Sequence, residues 1–213
     1  MSEKKNTIRA ITGRIIYQLY NNGNINRGAL ATLRRTTSIT DKGAEKIWPF
    51  IFEEIDKKSV ILSKNGKPTK QENAIYTALH CYAMFQQGND NDCVYASIPT
   101  SKQEKSEENV KEEYGVTLFS ALKQIRNSDS KIADALDRRV TALLATTNVD
   151  SAINSVAHLV NILKGKKIVT KVDFAQLASD LNVFQSSSKA AREIALKWGQ
   201  DYYWNTYQLD DNE

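Results

Sequence analysis

Apolar residues recur at three- and four-residue spacing along almost the whole chain, a period that selects packed helices over other folds. Ile8, Ile11, Ile15, Ile16 and Leu19 form one stripe over residues 6–21, with Arg9 and Arg14 off it, and Asn21-Asn22-Gly23 ends that helix. A second helix is expected over 26–36. Ile47, Trp48, Phe50, Ile51 and Ile55 follow, where Pro49 predicts a break or a new first turn. Turn residues make 63–68 a loop, and Ala74, Ile75, Ala78, Leu79, Tyr82 and Phe85 predict a helix over about 70–86. No strand alternation persists, and three prolines and nine glycines argue against a turn-rich β fold. The expected fold is all-α, a bundle of about eight or nine helices.

The pattern fails once, over 87–114, which reads as an acidic loop or insertion, with an ordered hairpin around Val94-Tyr95 as the lesser alternative. It suggests an N-terminal helical subdomain, 1–86, and a C-terminal one, 115–213. Periodicity returns with Leu118, Phe119, Leu122 and Ile125. Residues 127–130 form a turn and cap a helix carrying Ile132, Leu136, Val140, Leu143 and Leu144. A further helix holds Ile153, Val156, Ala157, Val160 and Leu163. Gly165 suits its stop, and Lys164, Lys166 and Lys167 suit its dipole. Asp173 caps a short helix, and the last helix runs over about 187–207 on Ala191, Ile194, Ala195, Trp198 and Tyr202.

Catalytic chemistry finds little to work with. No glycine-rich phosphate loop occurs, and the only histidines, His80 and His158, give no metal-ligand spacing. His80 and Cys81 are neighbours, which do not face each other on a helix. Asp173, Asp180 and Asp201 could converge as a metal-dependent nuclease site, but capping explains Asp173 more simply. No catalytic residue, metal or cofactor is expected. Two cysteines make no disulfide framework, and no run is long and apolar enough to span a bilayer, so a reducing, cytoplasmic setting is expected.

Charge placement is more telling. The net charge is +7 over residues 1–80, −4 over 81–115 and +1 over 116–213. Two arginine groups stand beside apolar faces. With about 100° per residue, burying Leu30 and Leu33 would turn Arg27, Arg34 and Arg35 outward. On the helix around 131–144, Arg138 lies opposite the apolar side and Arg139 borders it. Guanidinium forks match phosphate oxygens, whereas arginine stems covering apolar surface are the plainer explanation. Arg126, Lys123, Arg192 and Lys197 are further candidates. Trp198, Tyr202, Tyr203 and Trp204 are expected mainly to pack, with Tyr203 the most exposed ring.

Four segments in this order resemble a known family: Arg27-Gly28-Ala29-Leu30-Ala31-Thr32-Leu33-Arg34-Arg35; Ala135-Leu136-Asp137-Arg138-Arg139 with Leu143-Leu144; residues 172–181; and Trp198-Gly199-Gln200-Asp201-Tyr202-Tyr203. Together they look like the CasB family, the small subunit of Cascade, the type I-E CRISPR surveillance complex of bacteria. The resemblance covers most of residues 7–207, and the acidic stretch at 87–114 looks longer than the family's usual connection. It implies an all-α protein without enzymatic activity, present in two copies head to tail. That protein would support the guide RNA–target DNA hybrid and hold the displaced non-target strand. Its partners would be CRISPR RNA, target DNA, the backbone subunits, the large subunit and a second copy of itself. A helical architectural adaptor that binds acidic protein surfaces, without touching nucleic acid, is the rival reading.

Overall fold

The computed structural model describes residues 7–55, 62–98, 114–166 and 170–204. Among these residues there are nine α-helices: α1 (Ile8–Tyr20), α2 (Arg27–Arg35), α3 (Trp48–Glu54), α4 (Lys70–Gln86), α5 (Leu118–Ser128), α6 (Ser130–Ala145), α7 (Val149–Gly165), α8 (Phe174–Phe184) and α9 (Ser188–Tyr203). The all-α expectation holds.

Local chemistry starts these helices. Thr7, Asn26, Thr69, Thr117, Asp129, Asn148, Asp173 and Ser187 each accept a first-turn backbone N–H at the N-cap. Thr69 and Glu72 complete a reciprocal capping box. Helix α3 has no side-chain cap and instead carries Pro49 in its first turn, where the missing N–H costs nothing. Asn21 and Asn22 end α1 with φ of 46° and 51°, a left-handed conformation that asparagine tolerates.

Helix α4 is buried nearly all round because α1, α2, α7 and α8 pack against it. Several of its buried polar groups are bonded, the Tyr82 hydroxyl being an exception among the described residues. His80 Nδ1 lies 2.6 Å from the Leu33 carbonyl, to which it donates, and the Thr36 and Tyr76 hydroxyls are 2.5 Å apart. One hydrophobic core runs through residues on both sides of the 87–114 segment, so that segment marks a change in sequence character without dividing the packing.

The described flank of the acidic segment is more ordered than a patternless loop. Cys93 and Tyr95 are buried. Among the described residues the pairing is long-range: Val94 accepts from the Val172 N–H at 2.9 Å, and Val116 forms a parallel bridge with Val172. Gly115 is needed here, since a Cβ would stand 1.9 Å from the Ala96 carbonyl oxygen. Asp173 caps α8 and also accepts from Arg9 Nη2 at 2.7 Å and from the Ile98 N–H at 2.9 Å. At the end of α7, Gly165 is still helical and takes no left-handed turn; Lys164 donates to Gln87 and Lys166 pairs with Asp129. Lys167 and residues 99–113 lie outside the described residues.

Candidate nucleic-acid interface

Helix α2 packs on α4, burying Ala29, Leu30 and Leu33. That pins the helix so that Arg27 and Arg35 are exposed and Arg34 is half-buried. Arg27 Nη2 meets Asp90 Oδ2 at 3.1 Å, with 78% of the arginine and 63% of the aspartate side chain exposed. Among the described residues, Arg34 and Arg35 form no ion pair with a carboxylate.

Helix α6 packs instead on α5, α7 and α9 through Leu136, Val140 and Leu143. Arg138 and Arg139 are both exposed. Arg139 Nη1 donates back to the Ala135 carbonyl at 3.0 Å, and among the described residues neither arginine has a carboxylate partner. The next turn of α6 brings Thr141, whose hydroxyl lies 3.1 Å from that of Tyr203 on α9.

Other candidates from the sequence collect at this corner. Arg126 on α5 binds Asp137 through Nε at 2.7 Å and Nη2 at 3.2 Å, and its guanidinium carbon sits 5.8 and 5.7 Å from the Tyr202 and Tyr203 ring centres. Asp137 also accepts from the Tyr202 hydroxyl at 2.7 Å. The Arg126 hydrogen bonds hold the Asp137 carboxyl below the usual carboxylate range, and burial pushes the Tyr202 hydroxyl up. Lys123 Nζ donates to the Trp204 carbonyl at 2.9 Å, and Arg192 Nη1 donates to the Leu144 carbonyl near the end of α6 at 2.5 Å.

Lys197 is the exception. Its Nζ binds Asp180 at 2.6 Å, and the same carboxylate, only 7% exposed, accepts from Trp198 Nε1 at 3.0 Å. That cation is committed to an internal network. Asp173 stands in a different network from Asp180 and Asp201, whose charges sense each other. Asp173 binds Arg9, Asp180 binds Lys197, and burial raises the pKa of Asp201. Among the described residues no three His, Cys, Asp or Glu side chains are grouped to hold a metal ion.

The aromatic expectation needs one correction. Trp198 and Tyr202 are buried, but Trp204 is 65% exposed against 42% for Tyr203. The apolar stripe of α9 ends at Tyr202, and Trp204 follows its last turn. Sequence reasoning also missed Leu196, 65% exposed, although it lies off the stripe of Ala191, Ile194, Ala195 and Trp198. Asp137, which organises Arg126 and Tyr202, left no signal beyond its place beside the α6 arginines.

A family model described as CRISPR-associated protein Cse2 matches residues 29–203. Among solved structures, CasB from Thermobifida fusca superposes with a TM-score of 0.62 at 21% identity, over 92% of this chain and 98% of that one. At that identity the likeness speaks for the fold. No curated protein matches.

Proposed function

The chain belongs to the CRISPR-associated Cse2 family, and from that membership we propose that it is the non-catalytic small subunit of a type I-E Cascade complex. In this role it holds nucleic-acid backbone, stabilising the guide RNA–target DNA hybrid and the displaced strand as the R-loop forms. Its partners are CRISPR RNA, target DNA, the backbone and large subunits and a second copy of itself, in the cytoplasm. The observation that carries the reading is the exposed Arg138–Arg139 pair, which has no carboxylate partner among the described residues. Arg34 and Arg35 offer a second group. Exchanging a DNA duplex for a heteroduplex is nearly balanced, so a few backbone contacts tip it. Such contacts add little sequence preference, because base pairing already reads sequence.

Complexes carrying Arg138→Ala/Arg139→Ala test this. Assembly followed by size-exclusion chromatography should be normal, while R-loop lifetime should shorten and its salt dependence weaken, by roughly 0.7 in log–log slope for each single-strand phosphate no longer neutralised. Intact R-loops with failed assembly would favour the architectural adaptor. One feature supports that alternative: Trp48 and Phe52, 39% and 42% exposed, border an apolar groove of about 360 Å³ with Ile39 and Leu62.

A further inference from the structure

Between the end of α6 and α9 lies a groove of about 500 Å³ whose lining includes Leu144, Arg192, Leu196, Gly199, Tyr203 and Trp204. Leu196 and Trp204 are each 65% exposed, the largest exposures among the exposed large apolar residues described. Gly199 lies on the floor beside Leu144, whose Cδ1 a Cβ would meet at an ordinary 3.4 Å contact. No carboxylate is among the lining residues.

The Tyr203 face of the wall is fixed in place. Tyr203 stands edge-on to Tyr202 with ring centres 4.7 Å apart, its hydroxyl meets Thr141, and Arg126 covers it at 5.7 Å. Lys123 holds the Trp204 carbonyl. One cation lines the groove, Arg192 on α9, which donates to the Leu144 carbonyl, and exposed Arg138 stands on α6 one helical turn before Thr141, outside the lining itself. A single strand of nucleic acid needs both parts: cations for its phosphates and aromatic faces for its bases, whatever their sequence.

Resting on the strand-holding reading above, we infer that the α6–α9 groove is a base-stacking site, in which an unpaired base of a single strand lies against Trp204 while Arg138 and Arg192 take the flanking phosphates. The pre-set Tyr203 face and the held Trp204 backbone lower the ordering cost of capture.

The test uses the full-length chain with two fluorescent 15-mers of equal charge, oligothymidylate and the same strand made abasic. Trp204→Ala should weaken oligothymidylate binding about fivefold or more, the low end of what one base–aromatic stack contributes, and leave the abasic strand unchanged. Trp204→Phe should restore most of the loss. A strand bearing 5-iodouracil should photo-cross-link to the peptide that contains Tyr203 and Trp204. Equal weakening on both strands, or none on either, would overturn the stacking site while leaving phosphate holding intact. If Trp204→Ala instead abolishes self-association in sedimentation and spares strand binding, the groove's occupant is a second copy and the inference falls. A wild-type chain that bound neither strand would sink the strand-holding reading itself and this one with it.

Discussion

The two arginine groups solve the same problem differently. Helix α2 is a short cationic rod whose aim depends on burial of one face against α4, and its outermost arginine shares a solvent-exposed contact with Asp90. The α5–α6–α9 corner is a scaffold: one carboxylate, Asp137, gathers Arg126 and Tyr202 beside α6, the helix that carries Arg138. Exposed ion pairs are weak and screened, whereas a half-buried bidentate pair resists exchange. Arg27 is therefore free to trade Asp90 for a phosphate, while Arg126 is a positioning group. The lesson is that equal charge in the sequence can carry unequal function once its partners are known.

Breaking the α2 side at its anchor should have the largest effect. His80 is 6% exposed and satisfies the Leu33 carbonyl. Replacing it by leucine leaves that carbonyl without its donor, so His80→Leu should cost about 2 kcal/mol in urea denaturation. A loss within error would mean that α2 is held by its leucines alone. Next comes the direct contrast between the groups. Arg138→Ala/Arg139→Ala should weaken single-strand binding about tenfold at low salt, or roughly 1.4 kcal/mol, with a slope reduced by about 1.4. Arg34→Ala/Arg35→Ala should lose less, because Arg34 is half-buried. Anisotropy titrations across a salt series measure both, and the reverse order would overturn the ranking.

What could be read in advance follows the range of the physics. Caps such as Asp129 and Asp173, the new first turn at Pro49 and the buried stripe of α9 depend on residues a few positions apart, and all were legible. The pairing of Val94 and Val116 with Val172 was not, since those partners lie far along the chain and no alternation announces them. His80 gave no hint that its partner was Leu33, and α4 gave only a one-sided stripe although four helices enclose it. At the candidate site the arginines themselves stood out, but their partners did not. Nothing in the spacing separates Lys197, tied to Asp180, from Arg138, which faces solvent.

The third prediction tests whether Arg126 positions or binds. Its side chain and that of Asp137 are each 30% exposed, so Arg126→Ala should cost about 1 kcal/mol of stability at pH 7, and strand affinity should fall less than for the α6 pair. The sign with pH follows from Asp137. Its carboxyl titrates below the usual range in the folded chain, so the pair's stabilisation is complete above about pH 4 and is lost as pH drops through the lowered value. The gap between wild-type and variant urea midpoints should therefore narrow below pH 4. A gap that stays constant with pH would assign the loss to ring packing against Tyr202 and Tyr203.

The smallest effect bears on the acidic segment. Asp90 and Asp92 both contact cations of this same chain, Arg27 and Lys171. With both partners largely in water, Asp90→Ala should change stability by less than about 0.5 kcal/mol. It should nevertheless raise single-strand affinity about twofold at low salt, because it removes a charge that competes with phosphate for Arg27, and the gain should fade near physiological ionic strength as screening shortens to about 8 Å. A tenfold gain would make the acidic segment a built-in competitor for the α2 group. A stability loss above about 1 kcal/mol would make Asp90 a second anchor of α2 and erase the contrast between a loosely held rod and a scaffolded corner. No gain at low salt would take Arg27 out of the strand-binding set and leave Arg34 and Arg35 to represent α2.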